Sequence, residues 1–347
     1  MTATSMSKPC WPALPGGCYF PPLMDPICHT LVGASLAQAG LKRRTALGTA
    51  TLLIGANLPD VDLVSRAWGT IPMLEWRRGW THGVLALVAL PMLLTGLVLA
   101  WDRVGRKRSS DKIPASAKQL LLLSGVAVLT HPTLDWLNTY GMRWLMPFSD
   151  RWYYGDALFI VDPWVWLVLA AGIVLSLSRE RRHGISSPGR PALVALALVT
   201  VYILSMFGLS AVTARRLASA YAAHTGVPPM DVMAGPVPLN PLRRSIVIQT
   251  RDHYVVGDYS WLPAEWTESE DVYPTLRRGM RDSNVHQAVT QPAGRGFLSW
   301  TRFPTYTVED TTKPSVVHLL DLRYATQPTA PFGAIAIPPT TSGRGTP

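Results

Sequence analysis

The chain reads as long uncharged apolar runs separated by short basic stretches, followed by a more polar C-terminal third. Residues 83–101 and 191–213 contain no Asp, Glu, Lys or Arg. At about 1.5 Å per helical residue each is long enough to cross a hydrocarbon core of roughly 30 Å, so both are predicted membrane-spanning helices. Residues 119–134 and 163–178 are uncharged runs of marginal but workable length. Residues 26–41 and 45–59 are shorter, and fit short spans, a re-entrant hairpin or buried core helices. The predicted fold is mainly α: a polytopic helical membrane domain of about four to six helices in or on the membrane, followed by a small α+β soluble domain.

In the C-terminal third, alternating or β-branched runs at 245–249, 253–261, 297–308 and 316–322 predict strands, and 272–289 has a helical pattern despite Pro274. The expected organisation is an extension over 1–23, a membrane domain over 24–213, an extracytoplasmic α+β domain over 214–327, and a disordered tail, rich in Pro, Thr and Gly, over 328–347. Residues 1–23 lack the basic start, long apolar core and cleavage site of a signal peptide, so Met24 is read as the true start.

Charge changes the picture by orienting the helices. The net charge is +10, with 48% hydrophobic and 16% charged residues, a balance that by itself fits a nucleic-acid binder or a membrane protein. The basic residues cluster at Lys42, Arg43 and Arg44, between Arg103 and Lys118, and between Arg179 and Arg190, each time between apolar runs. The positive-inside rule makes these loops cytoplasmic, so the lipid bilayer is the expected partner and no specific nucleic acid is. With six apolar segments, both chain ends then fall outside the cytoplasm, and the C-terminal domain is expected in the periplasm of a bacterium with the chain in its inner membrane. The three cysteines, Cys10, Cys18 and Cys28, offer neither a disulfide framework nor a zinc–thiolate spacing.

Several polar residues interrupt the apolar pattern where chemistry could reside. Asp60 and Asp62 close one apolar run; in an extended or turn segment, a spacing of two points both carboxylates one way, suiting a divalent cation, although a polar interface turn reads the same. His82 precedes a span, where a histidine is ordinarily a cap or a packed side chain. His131 and Asp135 are four apart and share a helix face, the geometry by which imidazole and carboxylate bind one metal. His29 shares a face with Gly33, where a small residue would admit another helix. Asp162 precedes Pro163, an ordinary helix start as well as a candidate functional carboxylate. The charge-derived threading puts His29, Asp60, Asp62, His82, His131, Asp135 and Asp162 at the outer ends of their helices. Ionisable groups at membrane depth are costly unless paired or functional, and mixed imidazole and carboxylate is the ligand set of zinc, manganese and iron. A divalent-metal site is therefore expected, with zinc the first choice.

These residues also carry a family resemblance. Met24-Asp-Pro-Ile-Cys-His29-Thr-Leu-Val-Gly33, Asn57-Leu-Pro-Asp60-Val-Asp62, Arg78-Gly-Trp-Thr-His82 and His131-Pro-Thr-Leu-Asp135-Trp-Leu-Asn138-Thr-Tyr-Gly141 resemble the YdjM/YbcI-type family of bacterial membrane-bound metal-dependent hydrolases. Pro147-Phe-Ser149 and Val161-Asp162-Pro163 fit the same family, and the soluble tail carried by many members is similar to the stretches Phe297 to Pro304 and Asp321 to Tyr324. A fainter resemblance, to helical zinc-dependent phospholipases C and related single-strand nucleases, implies His29, Asp62, His82, His131 and Asp135 as ligands; the amino-terminal tryptophan ligand of that group has no counterpart. The resemblances imply a hydrolase of a phosphoester-containing lipid or envelope substrate at the periplasmic face. Its metal ligands would be His29, Asp60, Asp62, His82, His131 and Asp135, with Asp60 or Asp162 as base and Arg78 or Arg151 as an anion clamp. The competing expectations are a non-enzymatic scaffold with a structural His/Asp cluster and, third, a transporter, which would need these groups at mid-helix depth.

Overall fold

In the computed structural model, residues 26–105, 115–183, 189–309 and 315–339 are described. The reading of Met24 as the start, and residues 340–347 of the expected tail, lie outside them. The helical part comprises α1 (Pro26–Gln38), α2 (Gly48–Asn57), a 3₁₀ segment (Leu58–Trp68), α3 (Thr70–Trp76), α4 (Ala86–Val104), α5 (Ala117–Trp136), α6 (Pro163–His183) and α7 (Arg190–Thr225). Among the described residues α4, α6 and α7 are long and apolar enough to cross a membrane. Their outward faces carry exposed Val88, Met92, Leu97, Leu167, Val174, Val201 and Leu204, as expected of helices solvated by acyl chains. α5 is as long but ends in His131, Pro132 and Asp135, which lower its hydropathy.

α1 and α2, with 13 and 10 residues, reach only about 20 and 15 Å. They form the hairpin rather than two full spans. Gly33 explains their close approach: a Cβ there would lie 2.8 Å from the Leu52 carbonyl oxygen, and Gly55 on the other side of α2 meets Ala127 of α5 in the same way. Thr30 and Asn57 exchange hydrogen bonds at one end of this hairpin, while Lys42 at the other pairs with Glu180 at 2.5 Å. The starts of α1 and α6 and the turns before α4 gather with the ends of α2 and α5 at one end of the bundle.

α7 does not stop at residue 213 as expected. Its 36 residues reach about 54 Å, far more than a bilayer core requires, and the excess continues as a stalk whose Leu217 packs on Ile246, Ile248, Val255 and Tyr259 of the C-terminal domain. Gly226, at φ 75°, ends it in the left-handed conformation that favours glycine.

The C-terminal domain has an antiparallel meander β1 (Asp231–Val237), β2 (Asn240–Gln249), β3 (His253–Trp261) and β4 (Ala264–Pro274), then α8 (Leu276–Gly279), α9 (Ser283–Thr290) and α10 (Pro292–Trp300), and a second antiparallel sheet of β5 (Pro304–Glu309), β6 (Val316–Asp321) and β7 (Ala334–Ile337). Three expectations are corrected. Residues 297–300 are helical rather than a strand, because Phe297 and Trp300 lie one turn apart on the buried face of α10. The helical pattern of 272–289 begins only after Pro274, which closes β4. Residues 328–339 are not a disordered tail: Ala334 to Ile337 pair with β6, and Ala334 and Ile337 are buried.

The two parts share a core. Met73, Leu74, Tyr140 and Ile160 of the bundle end pack with Phe297, Trp300, Leu319 and Ile337. Polar ties reinforce the seam: Arg323 Nη1 donates to the Thr139 and Tyr140 carbonyls at 2.9 and 3.1 Å, and Arg302 Nη1 donates to Asp156 Oδ2 at 2.8 Å. The C-terminal domain therefore covers the end of the bundle where the histidines and aspartates gather.

Candidate metal centre

Three chain segments build the centre. The last turns of α5 place His131 and Asp135 on one face; the 3₁₀ segment, entered through Pro59, brings Asp60; and the irregular turns after α3 bring His82. Those turns are held by an inward-folded arginine pair. Arg77 Nη2 donates to Asp60 Oδ1 at 3.0 Å and its Nη1 to Asp62 Oδ1. Arg78, a non-glycine at φ 52°, donates its backbone N–H to Asp62 Oδ2 at 2.9 Å. Such strained conformations persist only where surrounding bonds over-determine them.

The side-chain atoms converge. His82 Nε2 lies 3.3 Å and His131 Nε2 3.6 Å from Asp135 Oδ2, and His131 Nε2 lies 3.5 Å from Asp60 Oδ1. Asp60, His82, His131 and Asp135 each offer an atom within 4.8 Å of all the others, and all four residues are buried. Ligands about 2.0–2.1 Å from a tetrahedral zinc stand roughly 3.3 Å apart, so these separations fit a small divalent ion.

The hydrogen bonds around the centre fix which atoms face inward. His131 Nδ1 lies 2.7 Å from the Ala56 carbonyl oxygen, which only accepts, so Nδ1 carries the proton and Nε2 presents its lone pair. His82 Nδ1 contacts Thr81 Oγ1 at 2.9 Å and Asp62 Oδ2 at 3.4 Å, a carboxylate–histidine relay of the kind that orients metal ligands. His82 Nε2, His131 Nε2, Asp135 Oδ2 and Asp60 Oδ2 are buried with no hydrogen-bond partner among the described residues. Acceptor atoms so close repel unless a cation or proton lies among them. This donor set can hold a divalent metal. Burial acts to raise the Asp60 carboxyl, but the neighbouring His131 and the Arg77 guanidinium outweigh it and hold it well below the usual carboxylate range.

All four residues lie within residues 24–214, which match the family described as YdjM inner membrane protein. The chain belongs to that family. Membership agrees with the apolar helices α4, α6 and α7: this is a membrane protein of the YdjM family, with a buried Asp/His/His/Asp group able to hold a metal. It is also similar to the uncharacterized protein YfhP of Bacillus subtilis (strain 168), 24% identical over 123 residues, which is 35% of this chain and 35% of that protein. The match thus spans about a third of the curated relative's length. No solved structure matches the chain.

The other predicted residues of this YdjM-family chain take different places. Asp62 stands behind the centre rather than in it, because its two oxygens already accept from Arg77, the Arg78 N–H and Thr81 Oγ1; its segment is 3₁₀, not extended. His29 stacks on His131 with ring centroids 3.7 Å apart and puts Nε2 3.5 Å from Asp135 Oδ1, beside the four-residue group rather than within it. Arg78 is no anion clamp: its guanidinium donates to the Asp135 and Gly141 carbonyls, Asn138 Oδ1 and Asp135 Oδ1 at 2.8–3.1 Å. Asp162 is the cap of α6, its Oδ1 accepting from the Trp164 and Val165 N–H groups and its Oδ2 from Tyr202; it also lines the small cavity beside His29 and Asp135. Arg151 is exposed and lies over the Tyr153 ring, away from the centre. Residues that sequence reasoning missed are Arg77 and Arg143, whose Nη2 donates to the Arg77 carbonyl at 3.0 Å. Neither was given a role in the sequence reading, and their burial is the signal that reveals one.

Proposed function

We propose that this protein is a multi-pass, membrane-bound metal-dependent hydrolase whose metal, zinc in the first instance, is held by Asp60, His82, His131 and Asp135 near the periplasmic face. The supporting observation is the convergence of buried, unpartnered lone-pair atoms backed by second-layer hydrogen bonds. A zinc ion so held would polarise water or a phosphoryl oxygen and bring the water's pKa toward neutrality. The protein's own part is orientation: Ala56 fixes His131, Asp62 and Thr81 fix His82, and Arg78 fixes Asp135. A cavity of about 30 Å³ beside Asp135 and His29 is roomy enough for a water. A phosphoester-containing lipid or envelope component is the substrate class that suits the charge and place of this site.

The complete burial of His82 and His131 favours a second reading, a structural centre that staples the bundle end under the C-terminal domain. One experiment addresses both. Elemental analysis of the protein in detergent should find stoichiometric metal that His131→Ala and Asp135→Ala lose while circular dichroism is retained. Activity on a panel of phosphoester and lipid substrates, abolished by the same variants, would favour the enzyme; tight metal with no turnover would favour the staple. Absence of metal from freshly purified protein, with no uptake on addition of zinc or manganese, would sink both.

A further inference from the structure

The first sheet of the C-terminal domain descends along α7. Ile246 and Ile248 of β2 pack around Leu217 in the stalk. Arg244 of the same strand reaches the Met206 carbonyl, 3.3 Å from its Nη2 and inside the uncharged run 191–213. Beyond Arg244 the strand ends at the β1–β2 turn, Pro238 and Leu239, and the Leu239 carbonyl accepts from Trp164 Nε1 at 3.2 Å. Trp164 is the second residue of α6 and heads an exposed stripe continued by Leu167, Ala171 and Val174, the face this helix turns to acyl chains. The β3–β4 turn falls at the same end of the meander. Trp261 beside it donates its indole N–H to Thr213 Oγ1 at 3.1 Å, at the last residue of the uncharged run.

These two turns differ in kind from the one at the other end of the sheet. Leu239 and Leu262 are 66% and 76% exposed, whereas the β2–β3 turn is Thr250, Arg251 and Asp252. Leu239 also has φ 63°, behind Pro238, in a turn position where glycine or asparagine is favoured. A leucine there neither suits the backbone nor packs in the core of the domain. One exposed leucine would need no explanation; two at the same end of one sheet, beside a half-exposed indole at the end of a spanning helix, mark the lipid–water border. We infer that the β1–β2 and β3–β4 turns are seated in that border, with Leu239 and Leu262 among the glycerol and upper acyl groups of the bilayer. Lipid, rather than a second copy of the chain, is the occupant because the first turn is hydrogen-bonded to a helix face that lipid already covers. The C-terminal domain is thus held to the membrane by lipid contact as well as by its seam with the bundle. Neither turn depends on the proposed metal chemistry.

The test uses the full chain in vesicles of phosphatidylethanolamine and phosphatidylglycerol. The photoreactive amino acid p-benzoylphenylalanine is introduced singly at Leu239, Leu262, Arg251 or Val88, and adducts formed on irradiation are mapped by mass spectrometry. Val88, on the exposed face of α4, is the lipid-facing reference, and Arg251, in the opposite turn, is the water-facing one. Circular dichroism matching that of wild type establishes that each labelled chain is folded. Lipid adducts are expected at Leu239 and Leu262 as at Val88, with loss of the lipid adduct at Arg251. Unlabelled chain carrying Leu239→Asp and Leu262→Asp should exchange its amide hydrogens faster over 237–242 than wild type and at an unchanged rate over 250–252. Val88 labelled by lipid with Leu239 and Leu262 unlabelled would overturn the assignment. So would adducts at the two leucines that join two copies of the chain, or lipid labelling of Arg251 equal to theirs.

Discussion

The role given to Arg78 can be tested quantitatively. Its guanidinium makes four hydrogen bonds of 2.8–3.1 Å within the protein, and one joins it to the carboxylate of Asp135, with both side chains buried. Arg78→Met keeps much of the side-chain volume but leaves the Asp135 carboxylate without its arginine partner and two carbonyls without a donor. Removing one partner of a buried ion pair costs about 3–5 kcal/mol. With about 2–4 °C per kcal/mol for a domain of this size, the apparent melting temperature should fall by roughly 6–20 °C. Arg78→Lys should recover little, since one ammonium cannot match a planar fork aimed at four acceptors. Adding Asp135→Asn to Arg78→Met should restore part of the loss, because a buried amide costs less than an unpaired carboxylate. Thermal unfolding in detergent, followed by intrinsic fluorescence, reads all three variants. A solvent-facing anion clamp would behave otherwise: a melting temperature within about 2 °C of wild type for Arg78→Met would refute the buried-staple role.

Asp60, held below the usual carboxylate range, contributes stability that is fully present above its unfolded value near about 3.9 and is lost as pH falls through the lower folded value. Thermal unfolding across acidic pH should therefore show a steeper loss below about pH 4 in wild type than in Asp60→Asn; parallel curves would contradict that. Gly55→Val would push a Cβ to 2.8 Å from Ala127 and separate α2 from α5, at a cost of about 1–3 kcal/mol by the same assay. Arg323→Met should loosen the seam at Thr139 and Tyr140, seen as faster limited proteolysis between α7 and β1 while α4 and α5 stay protected. Unchanged cleavage there would mean that the shared apolar core alone holds the C-terminal domain.

Much of this architecture was legible in one dimension because its causes are local. An uncharged run of about 20 residues has few alternatives to a transmembrane helix, and lysines and arginines between such runs orient them without reference to contacts. That was enough to bring His29, Asp60, His82, His131 and Asp135 to one end of the bundle, and the i, i+4 spacing of His131 and Asp135 was enough to put them on one face. Runs rich in β-branched and aromatic residues, such as β3, were equally readable.

Tertiary structure alone decided which of those groups face one another. Asp60 and Asp62 are nearly the same in sequence terms, yet Arg77, the Arg78 N–H and Thr81 occupy Asp62 and leave Asp60 Oδ2 bare. Nothing in the order of residues says that two arginines beside a span fold inward rather than toward headgroups, because that choice rests on buried acceptors contributed from the 3₁₀ segment, from α5 and from the loop that follows it. Residues 297–300 went to helix and 334–337 to strand for the same kind of reason: short segments with weak local preference take the conformation that buries Phe297, Trp300, Ala334 and Ile337 against the rest of the chain. Local pattern sets elements; the partition between ligand and support is a matter of distances that only packing fixes.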